Sequence, residues 1–244
     1  MVTKIQCKAS VRLSQDDKIK ERTTKMQPAV GWLPLSLSKK RRAAGFLSVA
    51  VVILALLSGN VSPAFAGGDG GVFLVGHRPI AAPAGFSGLC SKYSWVCAPS
   101  GQGTVGQDAV LRLAKTVNNQ VNRRTRQIDD KKQYGKEEYW ALPTARGGDC
   151  EDLVLLKKKT LLESGVSSES LLIATVLDRK LNSHAVLILR TKRGDLVLDN
   201  LTNKIVPWKA TGYTFLKLQD PQSLSRWQAV LAGGVIKDTP TASR

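Results

Sequence analysis

Residues 147–165 read GGDCEDLVLLKKKTLLESG. Gly147 and Gly148 break any regular element before them, and Gly165 stops the element after them. Between them the pattern predicts a helix from Cys150 to about Ser164, with Leu153, Leu156, Thr160 and Leu161 able to turn inward. Acidic residues at its start and lysines further along agree with the helix dipole. Cys150 therefore opens a helix. A thiol there meets unpaired N–H groups and partial positive charge, which favour the reactive thiolate. The same N–H groups can cradle an oxyanion, and two glycines let a substrate backbone come close. A cysteine after glycines is also compatible with a buried, inert thiol.

Downstream the period changes. LLIATVLD at 171–178, SHAVLILRT at 183–191, DLVLDN at 195–200 and YTFLKL at 213–218 are short and rich in Leu, Val, Ile and Thr. They predict successive strands of an antiparallel sheet, with Arg193-Gly194 at a hairpin turn. That hairpin brings His184, at the start of one strand, beside Asp199, at the end of the next. A carboxylate beside an imidazole holds its tautomer and stabilises its charged form, so the imidazole can deprotonate a thiol. A structural histidine satisfied by core contacts is the alternative. Residues 222–230 read as a final short helix.

Upstream, 105–126 places Val110, Leu113, Val117 and Val121 at helical spacing, with Arg123, Arg124 and Arg126 near the end. Residues 127–149 read as a long polar loop, and 72–75 as one short strand. Helix, helix, then sheet is an α+β domain with a helix against the sheet.

The front of the chain has another logic. KKRR at 39–42, the uncharged FLSVAVVILALL at 46–57 and AFA at 64–66 follow the order of a secretory signal. Twelve apolar residues are too few to span a bilayer comfortably, which takes about 20. Residues 1–66 are thus expected to be a leader cleaved after Ala66, exporting the domain to an oxidising compartment. Met26 is an alternative start, and an uncleaved anchor from near Ala43 an alternative outcome. The expected organisation is leader 1–66, N-terminal segment 67–104, core 105–232 and flexible tail 233–244.

Removing the leader leaves 25 basic and 16 acidic residues, a net +9. A basic face can steer an acidic protein, nucleic acid or membrane surface; export counts against nucleic acid. The exported part keeps Cys90, Cys97 and Cys150. Cys90 and Cys97 could close a small loop, which would leave Cys150 as the odd one. Asp149, Glu151 and Asp152, with Asp129, Asp130, Glu137 and Glu138 upstream, are hard oxygen donors of the type that holds Ca²⁺, although no EF-hand loop is present. Capping also explains acidic residues at a helix start. Zinc is disfavoured, since His77 and His184 lack a closely spaced Cys/His set.

GDCEDL, SHAVL and LVLDN, in this order, together with GFSGLCSKYSWVC upstream, resemble the bacterial transglutaminase-like cysteine peptidases. These are an exported branch of the papain/transglutaminase superfamily, and the likeness spans roughly residues 85–230. It implies Cys150 as nucleophile, His184 as base and Asp199 as the orienting carboxylate. It also implies a periplasmic, calcium-dependent protease acting on a cell-surface adhesin, with Asp152 first and Glu151 second as calcium ligands. No cofactor is required for the chemistry, and the expected partner of a monomer is a protein substrate. Leu153 stands where many members carry an aromatic residue. A transglutaminase or amide acyl-transferase with the same triad, and an inactive periplasmic binding domain, are the competing readings. Tyr139 and Trp140 are either cleft or core.

Overall fold

The sheet at the centre of the fold alternates its apolar side chains between two faces, and each face has its own core. The computed structural model describes residues 72–236. In chain order its main elements are β1 (Arg78–Ile80), α1 (Leu89–Lys92), α2 (Gln107–Arg124), α3 (Asp130–Tyr134), α4 (Cys150–Glu163), β2 (Leu171–Leu177), β3 (Ser183–Thr191), β4 (Gly194–Leu198), β5 (Val206–Pro207), β6 (Thr214–Asp220) and β7 (Ser223–Ala232). The strands form one antiparallel sheet in the order β1-β7-β6-β2-β3-β4-β5.

Period-two alternation divides the sheet. Leu171, Ile173, Ala185, Leu187, Leu189 and Leu198 pack with helix residues Ala114, Val117, Val121, Leu153, Val154 and Leu161. Leu172, Ala174, Val176, Val186, Ile188 and Val197 pack with Trp208, Phe215 and Val230 on the other side. The fold is α+β, with Cys150 at the N-terminus of a helix packed against an antiparallel sheet, as the sequence pattern predicts.

Helix α2 buries Ala114, Val117, Asn118 and Val121, one stripe at helical spacing. Helix α4 is different: Glu163 is its only exposed residue. Lys157 and Lys158 are fully buried, unlike most helix lysines. Lys158 Nζ donates to Leu171 O at 2.7 Å and to Gln219 Oε1 at 3.0 Å. The helix is thus tied to β2 and β6. Burial holds the amine of each lysine down to about 7.

Three expectations are corrected. Residues 223–232 are strand β7, not a helix. Register shifts between Phe215 and Lys217, and between Gln219 and Asp220, break the two-residue period, so Leu224 and Trp227 mimic helical spacing. Residues 72–75 form no strand. Instead Val72 O accepts from Asp195 N–H at 2.9 Å, and Leu74 N–H donates to Asp195 Oδ2 at 2.8 Å. The stretch 127–149 contains the short helix α3, and Ile128 N–H donates to Gly148 O across its two ends.

Cys90 and Cys97 are joined by a disulfide. The leader, its cleavage point, Cys7 and residues 237–244 lie outside the described residues; Gly233–Ile236 close a turn after β7. Among the described residues no helix is long and apolar enough to cross a membrane.

The buried lysine gives a test of this packing. Lys158→Ala removes the stem and strands Leu171 O, so it should lower stability by about 3 kcal/mol. Lys158→Met loses the same donor to Leu171 O but keeps the packed stem and removes the cost of burying an amine, so it should stay within about 1 kcal/mol of the natural protein. Urea denaturation of both variants measures the difference.

Candidate active site

Cys150 is set at the first turn of α4 by a close fit of backbone on backbone. Gly147 has φ +120°, and a Cβ there would lie 2.0 Å from Arg126 O. A Cβ at Gly148 would lie 2.6 Å from both Cβ and Oδ2 of Asp152. Gly148 N–H donates to Arg126 O, and Ile128 N–H to Gly148 O. The space these glycines leave is filled by the protein itself, so their first role is to seat the chain before the helix.

The helix start abuts the start of β3. Cys150 is buried, and its Sγ accepts the Ala185 N–H at 3.3 Å. The sulfur therefore sits against the peptide unit immediately after His184. Cys150 Sγ also lies 3.2 Å from Glu151 Oε2.

His184 and Asp199 meet as the hairpin requires. Strands β3 and β4 pair Leu187 with Leu198 and Thr191 with Gly194. The chain then leaves β4 so that His184 Nε2 lies 2.8 Å from Asp199 Oδ1. Both side chains are about 3% exposed. Asp199 Oδ1 also accepts the Leu201 N–H at 3.0 Å, and Oδ2 accepts the Tyr213 hydroxyl at 2.6 Å. Asn122 of α2 holds the same turn, donating through Nδ2 to Asp199 O at 2.8 Å. Burial pushes the Asp199 carboxyl up, but the His184 contact and these N–H and O–H donors outweigh it and hold it down at about 2. Asp199 is thus anionic, and Nε2 is the protonated nitrogen that donates to it. That leaves Nδ1 as the ring's proton-accepting atom.

A second cluster lies beside the helix start. Carboxylate oxygens of Asp130, Asp149 and Glu151 all lie within 4.8 Å of one another, and all three residues are buried. Asp130 Oδ1 and Asp149 Oδ1 are buried without a hydrogen-bond partner. Burial, reinforced by the neighbouring carboxylates, pushes Asp149 up to about 7 and Glu151 well above the usual carboxylate range. Of the two carboxylates that the family resemblance nominates for calcium, Glu151 belongs to this trio. Asp152 lies outside this trio: its Oδ1 accepts the Ala141 N–H at 2.8 Å, its Oδ2 is buried without a hydrogen-bond partner, and burial raises it to about 8. Asp130 joins from α3, with Oδ2 accepting the Tyr139 N–H. This oxygen set could hold a hard divalent cation.

Trp140 belongs to the core. It is 2% exposed and packs edge-on against Phe86 and Trp227. Tyr139 is half-buried, with Lys92 and Lys136 over its ring. Tyr213, Asn122 and Asp130 are the site residues that sequence reasoning did not single out as such. Only Asp130 had a signal, as one of the upstream acidic residues.

Residues 77–234 match the family described as bacterial transglutaminase-like cysteine proteinase, BTLCP. The chain belongs to this family. It is therefore a cysteine peptidase, a hydrolase, of the transglutaminase-like type. Among solved structures, calcium-bound LapG of Legionella pneumophila is similar at 23% identity over 54% of this chain and 78% of that one, with a TM-score of 0.43. A second LapG structure from that organism shows 25% identity, covering 52% and 74%, with a TM-score of 0.43. An EGTA-treated form shows 23%, covering 59% and 84%, with a TM-score of 0.41. No curated protein matches the chain.

The held-down Asp199 sets a stability window. Its folded value lies below its ordinary value near 4, so its stabilisation is present above about pH 4 and is lost as pH falls through about 2. The shift corresponds to about 2 kcal/mol. Asp199→Asn should lower stability at neutral pH by that order and flatten the dependence between about pH 4 and 2. Urea unfolding across a pH series measures both effects.

Proposed function

We propose that this cysteine peptidase is an exported endopeptidase in which Cys150 is the nucleophile, His184 the general base and acid, and Asp199 the orienting carboxylate. The observation that carries the assignment is the seating of Cys150 Sγ on the Ala185 N–H while His184 Nε2 is held by Asp199. These contacts support the reading: the sulfur rests on the peptide unit that follows His184, and Nδ1 of that ring is the atom assigned to take its proton. Periplasmic export rests on the leader pattern of residues 39–66.

The chemistry comes from these roles. His184 Nδ1 takes the Cys150 proton, and Asp199 stabilises the imidazolium so formed. The thiolate attacks a peptide carbonyl carbon; a C–S bond forms and the C=O electron pair moves onto oxygen. N–H groups at the start of α4 face that oxygen's charge. Collapse breaks the C–N bond, and His184 returns its proton to the departing amine. His184 then deprotonates a water, which attacks the thioester. The carboxylate product leaves and Cys150 regains its sulfur electron pair.

Asp130, Asp149 and Glu151 are the residues that would hold Ca²⁺. Their buried oxygens, two of them without a hydrogen-bond partner, fit a hard cation. Bound there, the ion would supply fixed positive charge and lock α3 to the start of α4. Calcium addition should raise the thermal midpoint of the natural protein by several degrees, as for any ligand of the folded state alone. An Asp130→Asn/Asp149→Asn variant should show no such rise. An unchanged midpoint in the natural protein would remove the calcium assignment.

The substrate class is a protein of the cell envelope, with a surface adhesin as the first to test. The full chain and its Cys150→Ala variant would be incubated with envelope proteins, with calcium or with chelator. Fragments should appear with the intact thiol and fall by about a thousandfold or more in the variant, the scale of losing a nucleophile. Identical fragment patterns from both proteins would sink the endopeptidase reading.

A further inference from the structure

Tyr213 reaches this centre from a part of the chain that the triad does not use. Leu177 of β2 pairs with Ser183 on one side and with Thr214 on the other. Tyr213, one residue before Thr214, is thereby delivered across β2 to the end of the sheet where His184 begins β3. Its backbone is fixed by the preceding turn, where Tyr213 N–H donates to Thr211 Oγ1 at 3.1 Å and Thr211 Oγ1 donates to Trp208 O at 2.6 Å. Its ring meets the His184 ring edge-on, with centroids 6.0 Å apart and planes at 88°. Its hydroxyl donates to Asp199 Oδ2 at 2.6 Å.

A carboxylate gripped through one oxygen can still swing about its Cβ–Cγ bond. Asp199 Oδ1 already takes His184 Nε2 and the Leu201 N–H. A donor on Oδ2 removes the swing and satisfies the oxygen that would otherwise be stranded in a site about 3% exposed. A hydrogen bond to an ionised partner at this length is of the stronger kind. Packing alone explains the ring but not the hydroxyl, since a phenylalanine would fill the same space.

The geometry points to Tyr213 as a positioning residue of the peptidase centre, fixing Asp199 through Oδ2 so that Oδ1 keeps His184 in its working orientation. This inference rests on the reading of Cys150, His184 and Asp199 as the catalytic set. The charged and titratable groups that bear on Asp199 are His184 of β3, Tyr213 itself and Lys157 of α4; Asp178 and Arg179, between β2 and β3, bear on Tyr213.

The test uses the full chain, mildly reduced, in four forms: natural, Tyr213→Phe, Asp199→Asn and the double variant. Iodoacetamide is the probe, and alkylation at Cys150 is followed by peptide mass from about pH 4 to pH 9, which spans the histidine range. Tyr213→Phe should slow alkylation about three- to tenfold at neutral pH, and its acid limb should move to higher pH. The double variant should be no slower than Asp199→Asn alone, because the hydroxyl acts only through that carboxylate. Natural rates and an unmoved limb in Tyr213→Phe, alongside a slowed Asp199→Asn, would overturn the positioning role and leave the catalytic set standing. Natural rates in Asp199→Asn would overturn both. A measurement on the unaltered protein covers a variant that does not fold: a slowly exchanging Tyr213 hydroxyl proton near the His184 ring in NMR is expected, and its absence counts against the inference.

Discussion

Helix α4 has almost no face left for solvent, and that burial fixes where Cys150 sits. A surface helix can slide or tilt by small amounts at little cost. A helix surrounded by packed side chains cannot, because the interior is close-packed and has few alternative arrangements. Leu153, Val154 and Leu161 are locked into the helix-side core, and Lys158 is bonded to β2 and β6. The first turn of α4 is therefore delivered against the first residues of β3. The Ala185 N–H on the sulfur is the local mark of that fit. Displacing the helix by an ångström would separate the sulfur from the strand that carries His184.

The sheet performs the matching task for the imidazole. His184 stands at the end of a central strand with β2 and β4 on its flanks. The β3–β4 hairpin returns Asp199 to it, and β6, two strands away on the other side, returns Tyr213. Asn122 of α2 then fixes the turn that comes after β4. Four elements thus converge on one carboxylate. Local sequence signals place the first two of them, while the other two come only from the order of strands and the packing of α2.

This division explains which features the chain shows by its residues alone. Strand β3 was legible because Ser183–Thr191 is an unbroken β-forming run, and α4 because glycines bracket an apolar helix. The nearness of His184 and Asp199 followed from a short hairpin, a local feature. Strand β7 was not legible, because its bulges destroy the alternation that marks a strand. The burial of Lys157 and Lys158 was not legible either, since lysines on a helix normally lie outside. The hydroxyl on Asp199 depends on β2 lying between β3 and β6, a long-range pairing that spacing does not encode. Asp130 joins Asp149 and Glu151 through the fold of the 127–149 segment, whose loop reading was too coarse to show it.

The start of α4 also carries an electrostatic tension. The helix dipole favours negative charge on a residue there by about 0.3–1 kcal/mol. A carboxylate about 4 Å away opposes a second negative charge by about 4 kcal/mol at the effective dielectric of a protein site. Glu151 Oε2 is 3.2 Å from Cys150 Sγ, and Asp149 precedes the cysteine in the chain. With both carboxylates ionised, the dipole is too weak to sustain a thiolate between them. The fold meets this by burying the acidic group, which pushes Asp149 and Glu151 toward their neutral forms. Under the proposed reading, a divalent cation shared by Asp130, Asp149 and Glu151 does the same by compensating their charge. Under the proposed reading, the charge state of the trio bears on whether the sulfur can carry charge, so the acidic residues flanking Cys150 would act on the sulfur as well as cap the helix.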